Sequence, residues 1–487
     1  MSARPDNAGM NREVRTLFSI SLPLVVAYLG EMGMMITDMI IVGRLGSDEL
    51  AAVGLTADWF YVLLLIGMGT VSIVGVLVAQ SLGSGDRMGI TNAVEQGMIA
   101  ATIMSIPVML AVWYLGPALR LAEQDANVVR LITAYAQPLT AGVLPVLWFT
   151  VLRNYLSAVA KASAVVTITF GALLLNLALN YALVYGKFGL PALGVVGAGI
   201  GTSIVNWTIF GLLAGHVIVA KRFAMYRPRL VPRRIDLAVL RDIFSLGLPI
   251  TAAQLLGAGM FTVSAVLIGI LGADYLAAQQ IVYTVIYVAL STSLAIGDAV
   301  RVRVAYGIGA RSIDAVRSST LIGLSMAAAV TVFASAALWL FPELIVSIFL
   351  DTDALANAGV LLLAVNLSVY AGLFQVFDGV LIVLANALRG LRDTRSPMWI
   401  GLFGYWVVGI GTGAILCFPL EFGAVGLWWG LILGPVTGNI LMAARYRRRL
   451  AEAAGLQERT MAGTAGCAKS GRRPPAESIG HARRLGD

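Results

Sequence analysis

The chain is poor in charge. Only 12% of its 487 residues are Asp, Glu, Lys or Arg, about half the share of an ordinary soluble domain. A soluble fold of this length would need charged surface for several domains, and that class is excluded. Histidine and cysteine are nearly absent, with 2 of each. Cys417 lies in an apolar run and Cys467 near the C-terminus, which provides neither a metal motif nor a disulfide framework. Such scarcity weighs against a membrane-embedded enzyme, which would need a His, Cys, Ser or Asp constellation within its spans. No GxxxxGK(S/T) sequence occurs, so ATP drive by this chain is unsupported. The charged ring or carbonyl filter of a channel is also missing. Met1–Glu13 is polar and lacks the apolar region and cleavage site of a removable signal.

What fills the chain is apolar: 59% of residues are hydrophobic. Runs of about 20 or more such residues recur throughout, each long enough to cross a hydrocarbon core. Their continuity excludes the strict alternation of a barrel, so an all-α membrane protein is expected. Twelve transmembrane helices are expected near residues 17–42, 52–81, 93–117, 131–157, 164–185, 193–220, 243–271, 277–305, 318–341, 355–387, 397–418 and 423–444. An even number puts both termini on one side. Of the 34 Lys and Arg, only Arg44, Arg120, Arg130 and Lys187 fall in the odd-numbered loops. Retention of basic residues during insertion therefore predicts a multi-pass protein of the inner membrane with both termini cytoplasmic. The net charge of +8 belongs to these loops and to contact with the lipid bilayer, with no nucleic acid as partner.

An internal repeat divides the chain. The segment FSISLPLVVAYLGEMGMMITDMIIVGRLGSDELAA from Phe18 aligns without gaps to FSLGLPITAAQLLGAGMFTVSAVLIGILGADYLAA from Phe244. Pro23, Gly33, Gly43 and Asp48 meet Pro249, Gly259, Gly269 and Asp274. Apolar bias alone does not place Pro, Gly and Asp in one register. An offset of six helices preserves orientation, so two parallel six-helix lobes are expected around a central cavity. The expected organisation is an N-terminal segment (1–16), a first lobe (17–220), a basic cytoplasmic linker (221–241), a second lobe (242–445) and a disordered tail (446–487). Pro23 and Pro249, near the expected helix starts, read as first-turn or kink residues, with a hinge as the sharper alternative.

Ionisable residues within spans are costly and normally face a cavity or a bundle interior. Glu31 and Asp38 are seven residues apart on the first helix, two turns along nearly one face. There a carboxylate can bind a proton, a sodium ion or a cationic drug. Asp378 lies among apolar neighbours, and Asp298 precedes Arg301 and Arg303, with which a local ion pair is the plainer reading. Asn180, with Asn176 one turn earlier, and Gln254 are polar cavity candidates, although an interhelical hydrogen bond explains each equally well. Arg153 and Lys161 read as snorkelling side chains. His216 reads as interfacial. Tyr283, Tyr287, Tyr370, Tyr405 and Trp406 suit either a cavity for flat cations or ordinary packing. Methionines around Asp38 (Met32, Met34, Met35 and Met39) would suit an adaptable wall.

Together MITDMIIVGRLGSDELAAVGL (35–55), LLNLALNYALVYGKFGLPALGVVGAGIGT (174–202), FQVFDGVLIVLANALRG (374–390) and YWVVGIGTGAILC (405–417) resemble the multidrug and toxic compound extrusion (MATE) family, in particular its NorM-like branch. The resemblance spans about residues 15–445. It implies two six-helix lobes and export of small organic cations and drugs in exchange for Na+ or H+, by a chain acting as a monomer without a cofactor. It also implies coupling or substrate roles for Asp38 and Asp378, as Na+ or proton sites, and for Asn180. The sequence departs from the pattern at Gly257, where the resemblance calls for a glutamate, and Asp298 is a candidate substitute. A flippase for a lipid-linked precursor is the alternative. Its phosphate-bearing cargo would call for basic residues facing the cavity.

Overall fold

The computed structural model describes residues 7–470 apart from 122, 124, 161–162, 224–225, 227, 229–233 and 351–356. Its elements are helical. The first half comprises α1 (Asn7–Gly43), α2 (Ser47–Val71), α3 (Val74–Ser84), α4 (Arg87–Trp113), α5 (Leu115–Leu121), α6 (Ala126–Thr140), α7 (Val143–Ala158), α8 (Ser163–Tyr185) and α9 (Val195–Val219). The second comprises α10 (Leu237–Gly269), α11 (Ala273–Gly309), α12 (Ile313–Leu340), α13 (Pro342–Ser347), α14 (Ala358–Gly390), α15 (Arg395–Gly401), α16 (Thr412–Cys417) and α17 (Gly423–Ser470). A π-helical stretch, Leu402–Gly411, joins α15 to α16. Eleven described segments are long and apolar enough to cross a membrane, and α6 with α7 makes a twelfth, bent by 49°. That bend follows Pro138, inside α6, and sits at Gly142, where α7 begins; proline removes a ladder hydrogen bond at such a break.

Side-chain caps set several starts. Asp86, Asp125, Asp236 and Ser312 accept backbone N–H groups at the openings of α4, α6, α10 and α12, satisfying donors that a helix start leaves free. Several helices begin earlier than their apolar runs suggested, α1 and α10 among them. α1 starts at Asn7 because the polar lead-in is docked: Glu13 pairs with Arg303 at 2.7 Å and accepts the Ser319 hydroxyl at 2.6 Å. α10 starts at Leu237, so Pro249 is interior. Pro23 is likewise interior to α1. The first-turn reading of both prolines therefore gives way to mid-helix positions. At the other end α17 runs on to Ser470. The part of the expected disordered tail up to that residue is helical, consistent with its Ala-rich sequence and the Arg448–Glu452 pair at 3.2 Å. Residues 471–487 lie outside the described residues, as does Lys161.

The cores divide by lobe, apart from Val302 and Ala305 of α11, which are buried with the first lobe, and a reciprocal exchange of the lobes' first helices. Leu17, Ile20 and Leu24 of α1 are buried among Ala295, Val300, Leu384 and Leu388 of the second lobe. Reciprocally, Ile243 and Ile250 of α10 are buried among Val71, Val74 and Leu147 of the first. Leu17 and Leu24 stand one repeat length from Ile243 and Ile250, so the exchange obeys the internal symmetry. Each lobe's first helix begins in the other lobe and crosses to its own near its proline. The side of the molecule bearing these helix starts, called the terminal side below, is where the lobes interlock.

Candidate functional site

Asp38 is buried within the first lobe, where α1 meets α8 and α9. The side-chain amide of Asn180 donates to Asp38 Oδ1, and Thr202 Oγ1 donates to Oδ2 at 3.2 Å. Asn180 reaches the carboxylate because α9 presents Gly201 to it; a Cβ there would overlap Asn180 Oδ1. The carbonyl oxygens Asn176 Oδ1 and Asn180 Oδ1 are buried without a hydrogen-bond partner, as is Thr169 Oγ1. Such orphaned acceptors are uncommon in native interiors. One carboxylate with neutral oxygens suits an alkali cation. Among the described residues no group of three or more His, Cys, Asp or Glu is placed to hold a metal ion, which leaves the one-carboxylate arrangement as the relevant kind.

Asp378 is buried in the second lobe on α14. Tyr405 Oη, from the π-helical stretch, donates to it at 2.5 Å. A tight space beside it is lined by Ile286, Ser293, Thr331 and Gln375. Ser293 Oγ and Gln375 Oε1 are buried there without partners. The space next to Gly257 is open: a Cβ would meet nothing within 4 Å. Glu31 occupies the corresponding place in the first repeat, so the acid missing from α10 is present on α1.

Glu31 does not stand beside Asp38 as a second free carboxylate. Its Oε1 accepts from Arg153 Nη1 of α7 at 2.6 Å. Arg153 is 6% exposed, so the snorkelling reading is corrected: the guanidinium points into the protein and is held by an ion pair. It also lies 5.2 Å from the Tyr28 ring centroid and 5.7 Å from that of Phe149. Tyr28 Oη donates to Asp298 Oδ2 of the second lobe at 2.7 Å. Arg301 pairs with Asp298 at 3.1 Å and donates to Asn154 of α7 at 3.1 Å. Asp298 thus forms the expected local ion pair and also joins the two lobes. Gln254 lies at the same seam, against Gly69 of α2, with Oε1 buried and unpartnered.

Sequence reasoning missed the Glu31–Arg153 pair, the Tyr405 contact and Asp58. Repetition held the signal for the arginine: Leu152-Arg153 and Leu388-Arg389 stand toward the ends of corresponding helices, and both arginines are buried. Asp58 is an exposed carboxylate within the α2 span. Tyr61, three residues further along α2, and Tyr287 of α11 are likewise exposed within their spans. A charge in contact with lipid would be costly, so an exposed carboxylate within a span is expected to face water among the helices. Of the other aromatics, Tyr283 is buried against Phe261 and Trp428, Tyr370 packs on Trp429, and Trp406 donates to the Leu256 carbonyl at 3.0 Å.

Comparison with known proteins places this architecture. The MatE family model matches twice, over residues 23–182 and 249–415, one match per lobe. Multidrug resistance protein NorM of Burkholderia vietnamiensis is 34% identical over 429 residues, covering 88% of this chain and 92% of its own. Probable multidrug resistance protein NorM of Pseudomonas aeruginosa is 33% identical over 467 residues, covering 96% of each. Among solved structures, a MATE in the bent conformation superposes with a TM-score of 0.84 at 18% identity, covering 92% of this chain and 97% of that one. The eukaryotic MATE transporter AtDTX14 gives 0.80 at 19% identity, covering 92% and 100%. With the family model matched in both repeats and relatives above 30% identity spanning nearly all of it, this chain belongs to the MatE family and is a multi-pass membrane transporter of the MATE/NorM multidrug-efflux type.

Proposed function

We propose that the protein exports organic cations across the bacterial inner membrane in exchange for Na+, which binds at Asp38, and that it does so as a monomer with both termini in the cytoplasm. The observation that carries the choice of ion is the pair of buried, unpartnered carbonyl oxygens, Asn176 Oδ1 and Asn180 Oδ1, beside the Asp38 carboxylate. A proton would neutralise the carboxylate and leave both oxygens orphaned; a sodium ion could take the carboxylate together with these oxygens once the Asn180 amide, whose nitrogen here donates to Asp38, turns its oxygen inward. Asp378, with Tyr405, Ser293 and Gln375, serves as the coupling carboxylate of the second lobe. In this reading the interlocked terminal side is the cytoplasmic side, and the cavity opens outward. Na+ entering from outside neutralises Asp38, which weakens the cavity's hold on a cationic cargo. Cargo leaves, the lobes rock inward, Na+ is released, and a new cargo takes its place. The ion gradient and membrane potential supply the drive.

Efflux of ethidium from proteoliposomes, under a sodium gradient alone and a proton gradient alone, tests the reading. Transport under sodium alone supports it. Transport under protons alone overturns the assignment of the ion and leaves the exchange intact. Failure under both, with folded protein, favours the lipid-linked flippase. Against that alternative, Arg153 and Arg301 are each already paired with a carboxylate.

A further inference from the structure

We propose that Arg153 is a tethered competitor for the cargo: its guanidinium occupies Glu31 while the central cavity is empty, and an organic cation must displace it to engage that carboxylate. The inference rests on the organic-cation reading above and adds to it a residue that sets affinity.

Three observations lead there. First, the pair is unequally accessible. The Glu31 side chain is 36% exposed and the Arg153 side chain 7%, so a ligand in the cavity can reach the carboxylate without first meeting the guanidinium. Second, Arg153 is held as a flat cation would be. A guanidinium is planar and delocalised. Here it lies between a carboxylate at 2.6 Å and the rings of Tyr28 and Phe149, the acidic and aromatic surroundings that bind organic cations. Third, further groups of the same kind are exposed within spans of both lobes, Asp58 and Tyr61 on α2 and Tyr287 on α11, and would extend such surroundings for cargo.

Displacement also has a place to go. Asp298, already held by Tyr28 and Arg301, acts electrostatically on Arg153. Cargo at Glu31 pushes the freed positive charge toward the contact through which α1 holds α11. Arrival of cargo is thereby felt at the seam between the lobes, and an empty cavity keeps its acid neutralised from within. The competition lowers affinity, which favours release, because binding to Glu31 is opposed by the free energy of the internal pair.

The test is equilibrium binding of tetraphenylphosphonium to the purified full-length protein in nanodiscs. Arg153→Gln removes the competitor and leaves the acid, so Kd should fall about tenfold, equivalent to about 1.4 kcal/mol. Arg153→Lys retains a cation and should stay near the wild-type Kd. Glu31→Gln removes the anchor and should raise Kd. The double variant Glu31→Gln, Arg153→Gln leaves no unpaired charge at the pair and should bind as weakly as Glu31→Gln. A purely structural pair would make Arg153→Gln bind no better than wild type, and that result overturns the proposal, as does wild-type affinity in the double variant. If wild type binds no organic cation at all, the cargo reading itself fails. Wild-type binding without a gain in Arg153→Gln sinks only the competitor.

Discussion

Gly83 and Gly309, one repeat length apart in sequence, meet across the two lobes on the terminal side. A Cβ on Gly83 would overlap the Tyr306 carbonyl, and one on Gly309 would overlap the Gln80 carbonyl. Gln80 and Tyr306 are themselves repeat partners, so α3 and α11 cross on the internal symmetry axis with backbone against backbone. Small residues permit that approach where no hydrophobic drive between helices operates. Gly83→Val or Gly309→Val should prise the crossing apart at a cost of about 1–3 kcal/mol. Spin labels flanking the crossing should report a longer mean distance, with export reduced and membrane insertion unchanged.

The two buried carboxylates should be separately indispensable. Asp38→Asn and Asp378→Asn each keep the shape and remove the charge that an ion neutralises. Each should cut ion-driven ethidium efflux at least about tenfold, or about 1.4 kcal/mol of barrier, at unchanged expression. Full export by the double variant would refute any role for these carboxylates.

Asn176→Leu and Asn180→Leu test the ion. Each removes an orphaned oxygen and substitutes a side chain of similar size. If Na+ uses these oxygens, its half-saturating concentration in efflux should rise severalfold in each variant, by about 1 kcal/mol for one lost ligand oxygen. A site that takes only a proton would show no such shift with sodium.

Acid should loosen the terminal side. Asp393, between α14 and α15, accepts from Arg445 at 2.7 Å, Arg449 at 3.0 Å and the Ser396 hydroxyl at 3.0 Å. Burial pushes its pKa up, but the hydrogen bonds from Arg449, Ser396 and Arg445 outweigh that and hold it below the ordinary carboxylate value. A carboxylate depressed in the fold stabilises above its unfolded pKa, and this contribution disappears as pH falls through the lower, folded value. Asp393→Asn should lower the thermal midpoint at pH 7, by about 1–3 kcal/mol of stability. The gap from wild type should narrow toward acid pH.

Much of the fold was legible because membrane crossing leaves strong marks: apolar length, sparse charge and a repeat in register. Asp38 and Asp378 stood out for the same reason, as acids where acids are costly. Contacts made across helices far apart in sequence were hidden. Arg153 read as a snorkelling side chain because its position near a helix end gives no hint of Glu31, 122 residues earlier. Asp58 falls inside the expected second span, but its exposure there depends on how the helices pack. Pro23 read as close to a helix start because docking of Glu13 on Arg303 and Ser319 lengthens α1 beyond its apolar run, an effect of tertiary contact on a local boundary.

The reciprocal burial of Leu17 and Leu24 in one lobe and Ile243 and Ile250 in the other bears on ancestry. A single six-helix unit of this design could not cover its own first helix. It would be complete only as a head-to-head pair, each copy lending that segment to its twin. Fusing two copies into one polypeptide would make the loan permanent and leave each half free to differ, as the halves do at Glu31 and Gly257.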